Sequence, residues 1–137
     1  MKHIPAESSQ PYLFLGDIFR FLVNSEESCG SIATMEVRLP PHSGPDSHIH
    51  AEAEEGFYVL EGDLTATVGD QTFEVSPGDF LHIPRGTTHS IKSKDTNARL
   101  LATYSPGAEG DIIIKLAQPV NEDEVARHLG LPPITND

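Results

Sequence analysis

The sequence predicts an all-β sandwich or barrel. Segments rich in β-branched and aromatic residues recur along it, and turn signals separate them roughly every eight to twelve residues. Eleven glycines and eleven prolines are spread evenly through the 137 residues, which favours short strands over long helices. A chain of this length reads as one domain, residues 1–137, able to bury a core without disulfides or structural metals.

Each element follows from local pattern. Residues 12–23, YLFLGDIFRFLV, and 31–39, SIATMEVRL, have strand composition, and the connector NSEESCG reads as a turn. In the second segment Ala33, Met35, Val37 and Leu39 alternate with Ile32, Thr34, Glu36 and Arg38, the period of two of a half-buried strand. PPHSGPDS is a loop. His48 to His50 are expected to start or end a short strand, and Gly56 to Leu60 to form another. Leu64 to Val68 and TFEV then form a hairpin across a Gly-Asp turn. SPGD turns the chain into FLHIP, and RGTT turns it into HSIK. Arg99 to Tyr104 supply one more strand, and Ile112 to Leu116 are expected to form the last. Only the tail reads as helical, over residues 121–130. Asn121 is its cap, Glu124 holds the capping-box position and Gly130 ends it before Leu131-Pro132-Pro133.

Charge narrows the partners. The formal net charge is −12, with no basic cluster beyond the KSK of Lys92 to Lys94, so nucleic acids and anionic membranes are disfavoured. The N-terminus lacks the apolar run of a signal peptide, and no stretch approaches the ~20 apolar residues of a membrane span. The single cysteine, Cys29, has no partner for an internal disulfide and no neighbouring cation to activate it. A cytoplasmic protein is expected. The chain has no GxxxxGK(S/T), GxGxxG, GxSxG or CxxC.

Histidine carries the chemical signal. Five of the seven, His42, His48, His50, His82 and His89, fall within the expected sheet. His48 and His50, two apart on an extended segment, point to one side and can converge on one ion. After His50 come four residues, then Glu55, then six residues, then Gly62. Further on, Gly78 is followed at set spacing by Pro84, Gly86 and His89. These blocks, HxHx(3,4)Ex(6)G and Gx(5)PxGxxH, resemble the paired motifs of the cupin superfamily, over about residues 44–62 and 78–93. The flanks resemble, more loosely, the single-domain cupins likened to quercetin 2,3-dioxygenase.

The resemblance implies a double-stranded β-helix, a jelly-roll barrel with a metal in its mouth, to which the tail adds its short C-terminal helix. It implies His48, His50, Glu55 and His89 as ligands of one divalent transition metal. Iron, manganese, nickel, copper and zinc all accept such a set. Glu54 is the alternative carboxylate, but strand parity groups Glu55 with Phe57 and Val59, and the spacing to Gly62 selects Glu55. The chain departs from the family pattern at His42, where a glycine is usual, and at Ser93, where an asparagine is common. Glu55 and His82 are the candidate catalytic acid–base groups, His82 either beside the pocket or as a structural hydrogen-bonding residue.

The function this implies is a metal-dependent dioxygenase acting on a small aromatic, flavonol-like or dicarbonyl compound. The alternatives are a non-redox isomerase, epimerase or lyase, or a small-ligand-binding protein without catalysis. Strand edges that gain from being covered lead us to expect a homodimer.

Overall fold

A computed structural model of the chain describes residues 2–133. The strands are β1 (Pro11–Phe14), β2 (Asp17–Val23), β3 (Ala33–Leu39), β4 (Glu54–Glu61), β5 (Leu64–Val68), β6 (Gln71–Val75), β7 (Phe80–Ile83), β8 (His89–Ser93), β9 (Ala98–Ser105) and β10 (Gln118–Pro119). Two helices, α1 (Ala108–Leu116) and α2 (Glu122–His128), flank β10. One antiparallel sheet runs β10-β1-β2-β3-β9-β4-β7, and a second runs β6-β5-β8. The two sheets bury their inner faces against each other as a jelly roll, the double-stranded β-helix that the motifs implied.

The alternation read from the sequence sets the core. Ala33, Met35, Val37 and Leu39 on β3 point inward, as do Ala98, Leu100, Ala102 and Tyr104 on the neighbouring β9. On β4 the inward set is Glu55, Phe57 and Val59. From the second sheet Leu64, Ala66 and Ile91 close the same cluster. Fully burying a side chain such as Phe57 contributes about 2–3 kcal/mol, so this interior is the main source of stability.

Segment 12–23 divides into β1 and β2. Leu15 and Gly16 turn it, with φ of 49° and 89°, the two left-handed positions of a type I′ hairpin turn. The β5–β6 hairpin turns at Gly69-Asp70 as expected. Asn121 caps α2, and both hydrogen bonds of its capping box with Glu124 are made. Val120, Val125 and Leu129 then pack on Ile18 as a smaller second core.

Two expectations are corrected. Ile112 to Leu116 belong to helix α1, not to a strand. The β-branched run Ile112-Ile113-Ile114 suggested extension, but the surroundings override that propensity. Glu109 and Asp111 lie in the first turn and Lys115 in the last, matching the helix dipole. Gly107 and Gly110 let the helix lie directly on β3 and β9: a Cβ at Gly107 would meet Ile32 O at 2.5 Å. The second correction concerns His48 to His50, which form no strand of their own. Only His48 bridges, to His89, and the segment hangs on β8 through that pairing.

Candidate metal centre

The cluster is assembled from both sheets at one end of the barrel. Glu55 projects from the inner face of β4, and His89 opens β8. His48 pairs with His89 by two backbone hydrogen bonds of 3.0 and 2.9 Å, which brings the HxH segment alongside β8. Gly86 N–H donates to His50 O at 2.8 Å, so the Pro84–Gly86 turn ties down the second histidine. Gly86 has φ 71°, a conformation that penalises any side chain.

One ligand atom from each of His48, His50, Glu55 and His89 lies within 4.8 Å of all the others. His89 Nε2 is 3.2 Å and His50 Nε2 3.8 Å from Glu55 Oε2. Ring orientation is set from behind. His48 Nδ1 lies 2.7 Å from Asp46 O, and His89 Nδ1 lies 2.8 Å from Thr87 O. A carbonyl only accepts, so both rings carry a proton on Nδ1 and are left with Nε2 to face the cluster, where His89 Nε2 is hydrogen-bonded to Glu55 Oε2.

His50 is braced by a residue that the sequence reading passed over. Glu109, on α1, accepts from the Glu52 N–H at 3.2 Å and sets its other oxygen 3.2 Å from His50 Nδ1. That contact is off the hydrogen-bonding direction, which leaves Glu109 Oε2 buried without a partner. On the other side of the ring His50 Nε2, 3.8 Å from Glu55 Oε2, is likewise buried without one among the described residues. A buried, unpaired imidazole nitrogen facing a carboxylate and two further imidazoles is costly unless something binds it. Three nitrogen donors and one carboxylate suit a divalent transition ion, and the residues present fit that group.

Electrostatics favours cation binding. Burial lowers the His50 pKa, which keeps that ring neutral and able to coordinate. For His89, burial also lowers the pKa, but the hydrogen bonds to Glu55 and Thr87 outweigh it and the net shift is upward. Tyr104 lies directly across from Glu55 on β9. Burial, followed by the neighbouring Glu55 charge and hydrogen bond, raises its pKa well above the ordinary phenol value. It stays a neutral donor beside the carboxylate, edge-on to the His50 ring at 5.1 Å between centroids.

The other singled-out residues lie elsewhere. His82 points outward from β7, half exposed and 3.4 Å from Glu54, because its register opposite Gly56 puts it on the outer face. It does not line the cavity, so a pocket acid–base role has no geometry. Glu54 shares that outer face, which leaves Glu55 as the carboxylate of the cluster. His42 is exposed and 3.4 Å from Asp95. Its φ of 57° is left-handed, which explains why a glycine is usual there. Ser93 is buried, and its hydroxyl binds Pro40 O and the Ser43 backbone, pinning a loop rather than reaching the cluster. Arg85 is exposed.

The cluster opens into a cavity of about 530 Å³. Phe19, Val37, Leu39, Phe57, Leu100 and Ile91 give it apolar walls, and Leu15, Ile49 and Ile112 stand exposed at its lip.

A family profile described as a cupin domain matches residues 35–104. The chain is a cupin. It is 29% identical over 96 residues to quercetin 2,3-dioxygenase of Bacillus subtilis, a match covering 69% of the chain and 28% of that enzyme. Identity to quercetin 2,3-dioxygenase of Aspergillus japonicus is 31% over 107 residues, covering 72% of the chain and 30% of the relative. This cupin thus spans less than a third of either relative. Among solved structures it resembles the polyketide cyclase RemF from Streptomyces resistomycificus, with a TM-score of 0.68 and 25% identity over 77% of the chain and 79% of RemF. Among its described residues no helix is long and apolar enough to cross a membrane.

Proposed function

We propose that this cupin is a metal-dependent dioxygenase acting on a small aromatic, flavonol-like or dicarbonyl compound. The observation that carries the reading is a four-donor cluster of which three members, His48, His50 and Glu55, line a largely apolar cavity. His48, His50, Glu55 and His89 would hold the ion. Bound there, it supplies Lewis acidity and, if redox-active, the electron exchange that dioxygen chemistry requires. The chain does the rest. The walls around Phe57 and Leu100 strip water from an aromatic ring and align it with the cluster. Glu55 is the proton acceptor for an acidic substrate hydroxyl, and Tyr104 steadies the carboxylate that takes the proton. Similarity to two quercetin 2,3-dioxygenases supports the substrate class.

Metal analysis of purified protein and dioxygen uptake with flavonols and β-diketones test the reading. About one equivalent of metal, and uptake that disappears in His48→Ala, is the expected result. Metal without uptake on any of these compounds overturns the dioxygenase assignment. Non-redox chemistry is then the second reading, favoured by the likeness to a polyketide cyclase: the same groups would polarise a carbonyl and move a proton without dioxygen. The reading includes pairing of two copies, supported by exposed Tyr58 and Phe80 facing each other near the β7 edge. Light scattering at twice the chain mass supports that pairing, and the chain mass alone rejects it.

A further inference from the structure

The cavity has a second polar pole. Asp17, the first residue of β2, lines the same space and is only 3% exposed. Its Oδ1 accepts from the Ser43 hydroxyl at 2.6 Å, and no other hydrogen bond to this carboxyl is found among the described residues. Ser43 is bonded in turn to Ser93, at the far end of β8 from His89. Four residues of strand, at about 3.3 Å each, put that end roughly 13 Å from the metal centre. Among the described residues the remaining charged groups lining the cavity are Asp46, Glu55 and Glu109, and no lysine or arginine lines it. We propose that Asp17 reads the far end of the ligand, accepting a hydrogen bond from a hydroxyl or amino group at the end opposite the metal-binding oxygens and rejecting carboxylates there. The proposal rests on the reading that an aromatic ligand binds at the metal.

Burial raises the Asp17 pKa from 3.8 to about 6, so near neutrality the group is mainly an acceptor in an apolar wall. An unmatched acceptor there favours a ligand that brings a donor, and a ligand lacking one forfeits the difference.

Anaerobic fluorescence titration of metal-loaded protein tests this with 3-hydroxyflavone and its 4′-hydroxy and 4′-carboxy derivatives. Wild type is expected to bind the 4′-hydroxy compound at least tenfold more tightly than the parent, and the 4′-carboxy compound at least tenfold more weakly. Asp17→Leu brings the hydroxyl preference below threefold. Asp17→Asn, which keeps the shape, admits the carboxylate, and it decides the matter should Asp17→Leu lose its cooperative melt. His48→Ala weakens all three probes alike and leaves their order intact. The same probe order and spacing in Asp17→Asn as in wild type overturns the proposal alone. Failure of every probe to bind wild type overturns it together with the flavonol reading.

Discussion

Glu109 reaches the site from α1, an element outside both motifs, and its carboxylate backs the one imidazole that has no carbonyl behind it. Removing such a support commonly costs 10- to 100-fold in metal affinity. Glu109→Ala is therefore expected to weaken metal binding by that factor in a competitive chelator titration, with His48, His50, Glu55 and His89 intact. Equal affinity in the variant would show that His50 is oriented without it. Asp17 makes a different prediction. A carboxyl whose pKa is raised from 3.8 to about 6 binds a proton more tightly in the native state than in the unfolded chain. Its contribution is full below about pH 4 and lost as pH rises through about 6. At about 1.4 kcal/mol per pH unit, that contribution is about 3 kcal/mol. Asp17→Asn is expected to flatten the fall in stability between pH 4 and 6, measured by urea denaturation, with Ser43, Lys92 and His128 around the group unchanged. The clustering of His48, His50, Glu55 and His89 was legible because fixed spacing encodes it. Glu109, Tyr104 and Asp17 were not, since each reaches the site through folding of distant segments. Only the acidic start of α1 hinted at Glu109.

Helix α1 depends on two missing side chains. A Cβ at Gly107 would sit 2.5 Å from the backbone of Ile32 and 2.8 Å from Ala33 N, and backbone cannot swing aside as a side chain can. Gly107→Ala is expected to cost about 1–3 kcal/mol, with the helix displaced from β3. Because that helix carries Glu109, metal affinity should fall in the same variant, whereas a surface substitution of equal destabilisation should leave it unchanged. At the N-terminus of α2, Asn121→Ala removes a made capping box, at about 1 kcal/mol by thermal melting, without touching metal binding. Strands were legible wherever one face is wet and the other dry, as β3 shows. Helix α1 was not legible because three consecutive isoleucines look extended until the sheet beneath them is known. Nor was β10, a two-residue pairing with β1 that no period can announce.

Across the whole molecule, metal binding and folding are one equilibrium. An ion present at a hundred times its Kd stabilises the native state by about 2.7 kcal/mol, roughly 8 °C at about 3 °C per kcal/mol for a chain of this size. Chelation should lower the melting temperature of wild type by that order and leave His48→Ala unmoved. The cluster draws Glu55 from the seven-stranded sheet, His89 from the three-stranded one, and His48 and His50 from a segment that neither sheet fully incorporates. An ion seated there would rivet the two halves of the sandwich at a single end. Once it is withdrawn, that end should breathe first, and amide protons of the His48–His89 bridge should exchange faster than those of β5. The barrel would then behave as a hinged shell, with its pin made of metal.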